Sequence, residues 1–302
     1  IGTSKSGNLN NYENYKVIVE SGIYNALLTG YAENSGDYYI HGKMVYGSDY
    51  DRVKNDNSKL SVYFNALASI SGDYNSTDKV TPSSDMIIKS GKYGVERSGN
   101  DLNIPSSSSG NAAYGVYVGG RSGTHYSNSL RRLTMLGGEV NSLNGGPCVE
   151  TNLSTNSTAF YMLGGFVNTV YGGAATTTTY GNRVVSITGG TVGYNVFGGS
   201  NEKGDVTTSN IEATAGTLGY VYGGNNIAGT TNTTNVNLTG VKVTGDIYGG
   251  GNKASSKTSN VVISNISAND AYGGGREAGL TDSKVLIDTS TMNKVFGGSN
   301  IS

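Results

Sequence analysis

One short pattern, an aliphatic residue followed by an aromatic one and two glycines, returns along the chain at a nearly constant interval. It reads TVYGGA (169–174), NVFGGS (195–200), YVYGGN (220–225), DIYGGG (246–251), DAYGGG (270–275) and KVFGGS (294–299). Counted at the residue before each glycine pair, the series Val118, Asn144, Tyr171, Phe197, Tyr222, Tyr248, Tyr272 and Phe296 advances by 26, 27, 26, 25, 26, 24 and 24 residues. A second series runs in phase with it: Met135, Met162, Ile187, Ala213, Leu238, Ile263 and Ile287, with steps of 27, 25, 26, 25, 25 and 24. Two series holding one period restrict the chain to stacked repeat architectures, in which each unit leans on its neighbours.

Within a unit, alternating runs such as NVNLTG (235–240) and NVVISN (260–265) are split by Gly, Asn and Thr, and no helical periodicity appears. Short strands and turns follow from such a pattern. A unit of about 25 residues holding three short strands matches one coil of a parallel β-helix. The expected fold is therefore all-β: a single-stranded, right-handed parallel β-helix, or β-solenoid, right-handed because parallel crossovers are. Equivalent residues of successive coils would lie ~4.8 Å apart and form ladders. Val170, Val196, Val221, Ile247 and Val295 are expected as an inward apolar ladder. The aromatic residue after each would then face outward by strand alternation. The glycine pair is expected to supply φ > 0 for a sharp turn, and Asn201, Asn226, Asn252 and Asn300 to stack as an asparagine ladder beside it.

Residues 1–114 keep the pattern loosely. VIVESGIYN (17–25) and MIIKSGKYG (86–94) resemble first strands of a coil, aligning Val19 and Ile88 with the Met135 series. Between them lies a Tyr- and Asp-rich stretch. Two regions are thus expected within one continuous solenoid: irregular coils with loop insertions over 1–114 and regular coils over 115–302. The chain reads as a fragment of a longer protein.

Composition narrows the function. A net charge of −1 offers no electrostatic basis for nucleic acid or anionic membrane, and no apolar run approaches the ~20 residues of a membrane helix. Cys148 is the single cysteine, and His41 and His125 are the only histidines. Thiolate or multi-histidine metal sites are therefore not expected, nor is any cofactor, since no glycine pair leads into a helix as a phosphate loop does.

Three groups of residues are candidates for chemistry. The aromatic column Tyr171, Phe197, Tyr222, Tyr248, Tyr272 and Phe296 could receive sugar rings on a flat outer face, although stacked aromatics also stabilise a sheet by themselves. Two residues earlier runs the column Asn195, Tyr220, Asp246, Asp270 and Lys294. Asp246 and Asp270 are one period apart, so their carboxylates could approach to ~5 Å, a spacing that suits a retaining glycosidase or a shared divalent cation. Asp49 and Asp51, near His41, Tyr50 and Arg52, lie in the irregular region, where loops would carry function. Against both carboxylate pairs stands a solvated column or an exposed turn, and no catalytic residue is expected.

The repeats ITGGTVGYNVFGGSNEKGDV and LTGVKVTGDIYGGGNKASS resemble the Gly-rich V-Y-G-G repeats of large bacterial surface proteins, adhesin-like β-solenoids, over residues 115–302. That resemblance implies a secreted, cell-surface stalk or binding module and brings no catalytic residues with it. Three readings follow: a non-enzymatic adhesin or stalk binding a polysaccharide or host glycan, a polysaccharide-cleaving β-helix, or a structural rod whose ends stack on further repeats.

Overall fold

The structure, a computed structural model, describes residues 130–146, 157–177 and 181–301, together with separate strands upstream and at Val149–Thr151. No helix occurs among the described residues. The alternating runs fold as parallel strands, and from Leu130 onward strands adjacent in a sheet are one period apart in sequence. Leu130–Met135, Ser157–Met162, Asn182–Ile187, Val206–Ala213, Thr230–Thr239, Ser255–Ser264 and Leu280–Asp288 form one sheet in that order. Glu139–Asn144, Phe166–Tyr171, Thr191–Phe197, Thr217–Tyr222, Ile247–Tyr248, Asp270–Tyr272 and Lys294–Phe296 form a second. A short third sheet joins Ser122–Thr124, Val149–Thr151 and Thr176–Thr177. The molecule is a right-handed parallel β-solenoid with a coil of about 25 residues.

Both sheets continue upstream. Tyr15–Val19, Gly42–Tyr46 and Ser83–Ile88 extend the first sheet, with Val19 opposite Tyr46, Tyr46 opposite Ile88 and Ile88 opposite Met135. The alignment read from the sequence thus holds in backbone register. An antiparallel pair, Glu96–Ser98 with Asp101–Asn103, is an excursion from the coils.

Met135, Met162, Ile187, Ala213, Leu238, Ile263 and Ile287 pair in register down the first sheet. Val170, Val196, Val221 and Ile247 are fully buried beside them, one apolar column facing another across the coil interior. One register differs from expectation. Asn144 pairs with Tyr117, not Val118, because YVGG at 117–120 carries one residue more between strand and glycines than LNGG at 143–146.

The glycines also play a different part from the one expected. Left-handed φ occurs at Gly138, Gly165, Gly190, Gly216 and Gly240, all at the corner that follows the first sheet, and at Gly204 and Gly229. Asn265 and Thr289 take it over at that corner in later coils. The glycines of the V-[YF]-G-G pairs are not among them. A Cβ on Gly172, Gly198, Gly223 or Gly249 would instead overlap the carbonyl oxygen of the equivalent glycine one coil on. These glycines exist for close approach of backbone to backbone.

The same carbonyls explain a buried polar column. The backbone ladder bonds Gly198 N to Tyr222 O and Gly199 N to Gly224 O, passing over Gly223 O. Ser209 Oγ donates to that oxygen from across the interior, as Thr158 does to Gly172 O and Thr234 to Gly249 O at 2.5 Å. A buried carbonyl without a partner costs free energy, and Thr158, Ser209 and Thr234 remove that cost in their coils. Arg183 holds the equivalent position between the first two, and Ser259 Oγ, one coil after Thr234, has no hydrogen-bond partner.

Candidate functional site

The aromatic column projects from the second sheet on the side opposite Val170, Val196, Val221 and Ile247, as strand alternation requires. It is nevertheless not an open platform. Tyr171, Phe197, Tyr222, Tyr248, Tyr272 and Phe296 stack ring on ring, with centroids 4.6 to 5.1 Å apart and planes within 14° of parallel. Phe197, Tyr222, Tyr248 and Tyr272 are only 2 to 6% exposed. The expectation that these rings offer their faces to sugars is therefore corrected: their faces are covered by one another, and only edges and hydroxyls turn outward. Phe296, the second ring of the last stacked pair, is 41% exposed.

Hydroxyl chemistry links this column to its neighbour. In DIY and DAY the aspartate sits two residues before the tyrosine, on the same side of the strand. Tyr248 Oη donates to Asp246 Oδ2 at 3.0 Å, and Tyr272 Oη to Asp270 Oδ2 at 3.3 Å. Asp246 Oδ1 accepts two further bonds from the next coil, from Asn269 Nδ2 at 2.6 Å and from the Asp270 backbone N–H at 3.1 Å. The column of Asp246 and Asp270 is real, but its carboxylates serve as acceptors that tie hydroxyls and coils together. Asp49, Asp51, His41 and Cys148 lie outside the described residues.

Burial raises the hydroxyl pKa of Tyr222, Tyr248 and Tyr272, and neighbouring aspartate charge adds to it. Tyr171 shifts upward for the same first reason, reinforced by Glu202. All four hydroxyls remain donors across the physiological range.

Over the edges of the stacked rings lies a groove of about 420 Å³ running along the solenoid. Asparagines form one wall. Asn226 Nδ2 donates to Asn201 Oδ1 at 2.8 Å, and Asn252 Nδ2 to Asn226 Oδ1 at 2.9 Å. The expected ladder is present over these three coils. Arg276 stands in its next place, and Asn300 follows one coil later. A second ladder, Asn210 to Asn235 to Asn260, runs along the first sheet with bonds of 2.8 and 2.9 Å. Sequence reasoning missed it, although its one-per-period spacing is the signal that would have found it.

The opposite wall carries Tyr194 and Tyr220, 60% and 39% exposed, in edge contact at 6.5 Å. Tyr194 owes its position to a β-bulge. Val192 pairs with Leu218 and Asn195 with Tyr220, so two residues, Gly193 and Tyr194, oppose the single Gly219. Bulges re-aim side chains, and this one presents a free ring face. Its signal lies in the sequence: TVGYNVF is one residue longer than TLGYVY between the same landmarks.

Among the described residues, no group of three or more His, Cys, Asp or Glu side chains is placed to hold a metal ion, and no helix is long and apolar enough to cross a membrane. The chain matches no family model, no curated protein and no solved structure.

Proposed function

We propose that this chain is a non-enzymatic binding module of the extracellular bacterial surface, an adhesin or stalk segment that holds a polysaccharide or host glycan in the groove over the aromatic ladder. The observation that carries this reading is the groove itself: exposed Tyr194 and Tyr220 on one wall, and Asn226, Asn252 and Arg276 on the other. Aromatic faces beside fixed amide and guanidinium groups suit a ligand that is apolar on its ring faces and rich in hydroxyls at its edges. The rigid ladders beneath hold these groups in place before binding, which limits the entropy lost on association. The resemblance to V-Y-G-G surface repeats supports the cellular setting.

A glycan array and an insoluble-polysaccharide pull-down, followed by chromatography of each bound glycan, test the reading. Binding without products is expected, weakened about two- to tenfold by Tyr194→Ala or Tyr220→Ala. Cleavage products would overturn it in favour of a polysaccharide-cleaving enzyme. Absence of all binding would leave a structural rod.

A further inference from the structure

The two ends of the groove differ in chemistry, and each departs from the repeat in its own way. At one end the bulge inserts Tyr194. Toward the other, one coil before Asn300, Arg276 replaces an asparagine in the ladder, and this replacement has a cost. Each ladder amide accepts from the next coil, but Asn252 Oδ1 is buried without a hydrogen-bond partner. A sequence that breaks a local rule at a structural loss marks a place where function is selected.

Charge at that end is unbalanced. Lys253 and Arg276 share a single carboxylate, Glu277, at 3.9 and 3.8 Å. Both separations exceed a hydrogen bond and both pairs are solvent-exposed, so each interaction is weak. The Arg276 side chain is 47% exposed. Its guanidinium also meets the Tyr222 hydroxyl, and its fork of donors leaves others for a planar anion. The one carboxylate lining the groove, Asp246, is already bound by a tyrosine hydroxyl, an amide and a backbone N–H. Tyr194 belongs to the coil of Phe197 and Arg276 to the coil of Tyr272, three coils apart, which is about 14 Å at ~4.8 Å per coil.

Resting on the glycan-binding reading above, we propose that the ligand is an acidic, linear oligosaccharide lying lengthwise in the groove. One sugar ring stacks on Tyr194, and a carboxylate or sulfate group two or more sugars away is held by Arg276. A single sugar cannot reach both groups, so binding requires an oligomer.

Titration calorimetry on the full chain tests this, using uronate- and sulfate-bearing oligosaccharides of increasing length beside their carboxyl-reduced or desulfated counterparts. Affinity is expected to rise with length until the oligomer spans Tyr194 to Arg276, then to level. Acidic members should bind about ten- to a hundredfold tighter than neutral ones, the range of a charge-assisted hydrogen bond. Arg276→Gln, at an exposed position, should remove that difference, bringing acidic members down to the affinity of their neutral counterparts. Tyr194→Ala should weaken both kinds alike. Equal affinity for acidic and neutral members, or a charge preference that survives Arg276→Gln, would overturn the acidic ligand while leaving a glycan groove in place. Affinity independent of length would overturn the lengthwise pose. Failure of every member, together with an empty array, would remove the glycan reading itself.

Discussion

Gly223 shows what a single residue contributes to a solenoid. Its backbone φ is ordinary, so any L-residue could adopt it, yet an added Cβ would strike Gly249 O and Thr234 Cβ of the next coil. Gly223→Ala is therefore expected to lose about 1–3 kcal/mol through overpacking. Gly279 offers the control: it has no left-handed φ, and a methyl group added there would meet nothing within 4 Å. Gly279→Ala should thus stay within about 0.5 kcal/mol of the parent. Chemical denaturation of the two variants decides the matter, and equal losses would sink the close-approach account. Tyr248 separates ring from hydroxyl in the same way. Tyr248→Phe keeps the stack but strips a donor from Asp246, an expected loss of about 1–3 kcal/mol. Tyr248→Ala also empties the column between Tyr222 and Tyr272, and about 3–5 kcal/mol is expected.

At the scale of the element, the aromatic ladder behaves as one unit because its rings share faces. Burial, helped by Asp246 and Asp270, lifts the hydroxyls of Tyr248 and Tyr272 above the ordinary 10.0, and burial lifts that of Tyr222. A pKa higher in the folded state means that the native ladder holds its protons more tightly than the unfolded chain. Its contribution to stability is thus complete below pH about 10 and is lost as pH rises beyond that toward the folded values. Thermal melts across the alkaline range, with tyrosinate absorbance followed in parallel, should show late-titrating tyrosines that ionise together with unfolding. Ladder tyrosines that titrate at the ordinary midpoint in a still-folded protein would contradict this. The strand alternation that built the ladder was legible in V-[YF]-G-G. That its outward rings would be covered was not, because exposure depends on the next coil and on the walls beside it.

For the whole molecule, the fold is a sum of nearly equivalent coils, each bound mainly to its two neighbours. Removing residues 223–248 excises one full period and rejoins Tyr222 to Gly249, so every ladder closes again one coil shorter. The deletion protein is expected to fold with native-like β circular dichroism and lower stability. Removing half as many residues should abolish folding, because it sets inward positions against outward ones. The full-period deletion also draws Tyr194 and Arg276 closer by about 4.8 Å. The shortest oligosaccharide that reaches full affinity should therefore be shorter for this protein than for the parent, as calorimetry can measure.

The period, the pairing of Met135 with Met162 and onward, and the inward valines all follow from spacing, since a solenoid repeats in space what the chain repeats in sequence. So does the asparagine ladder, and even the Tyr194 bulge is written as one extra residue. Tertiary structure alone decided the rest. Gly223 needs room that only the coil stacked against it defines. Asp246 becomes an acceptor on which Tyr248 and Asn269 converge from two coils. The aromatic column becomes a floor, and Tyr194, Asn252 and Arg276 become walls, because consecutive coils meet there. Repetition along one chain specifies columns; which columns face each other across a groove is set by the shape of the coil.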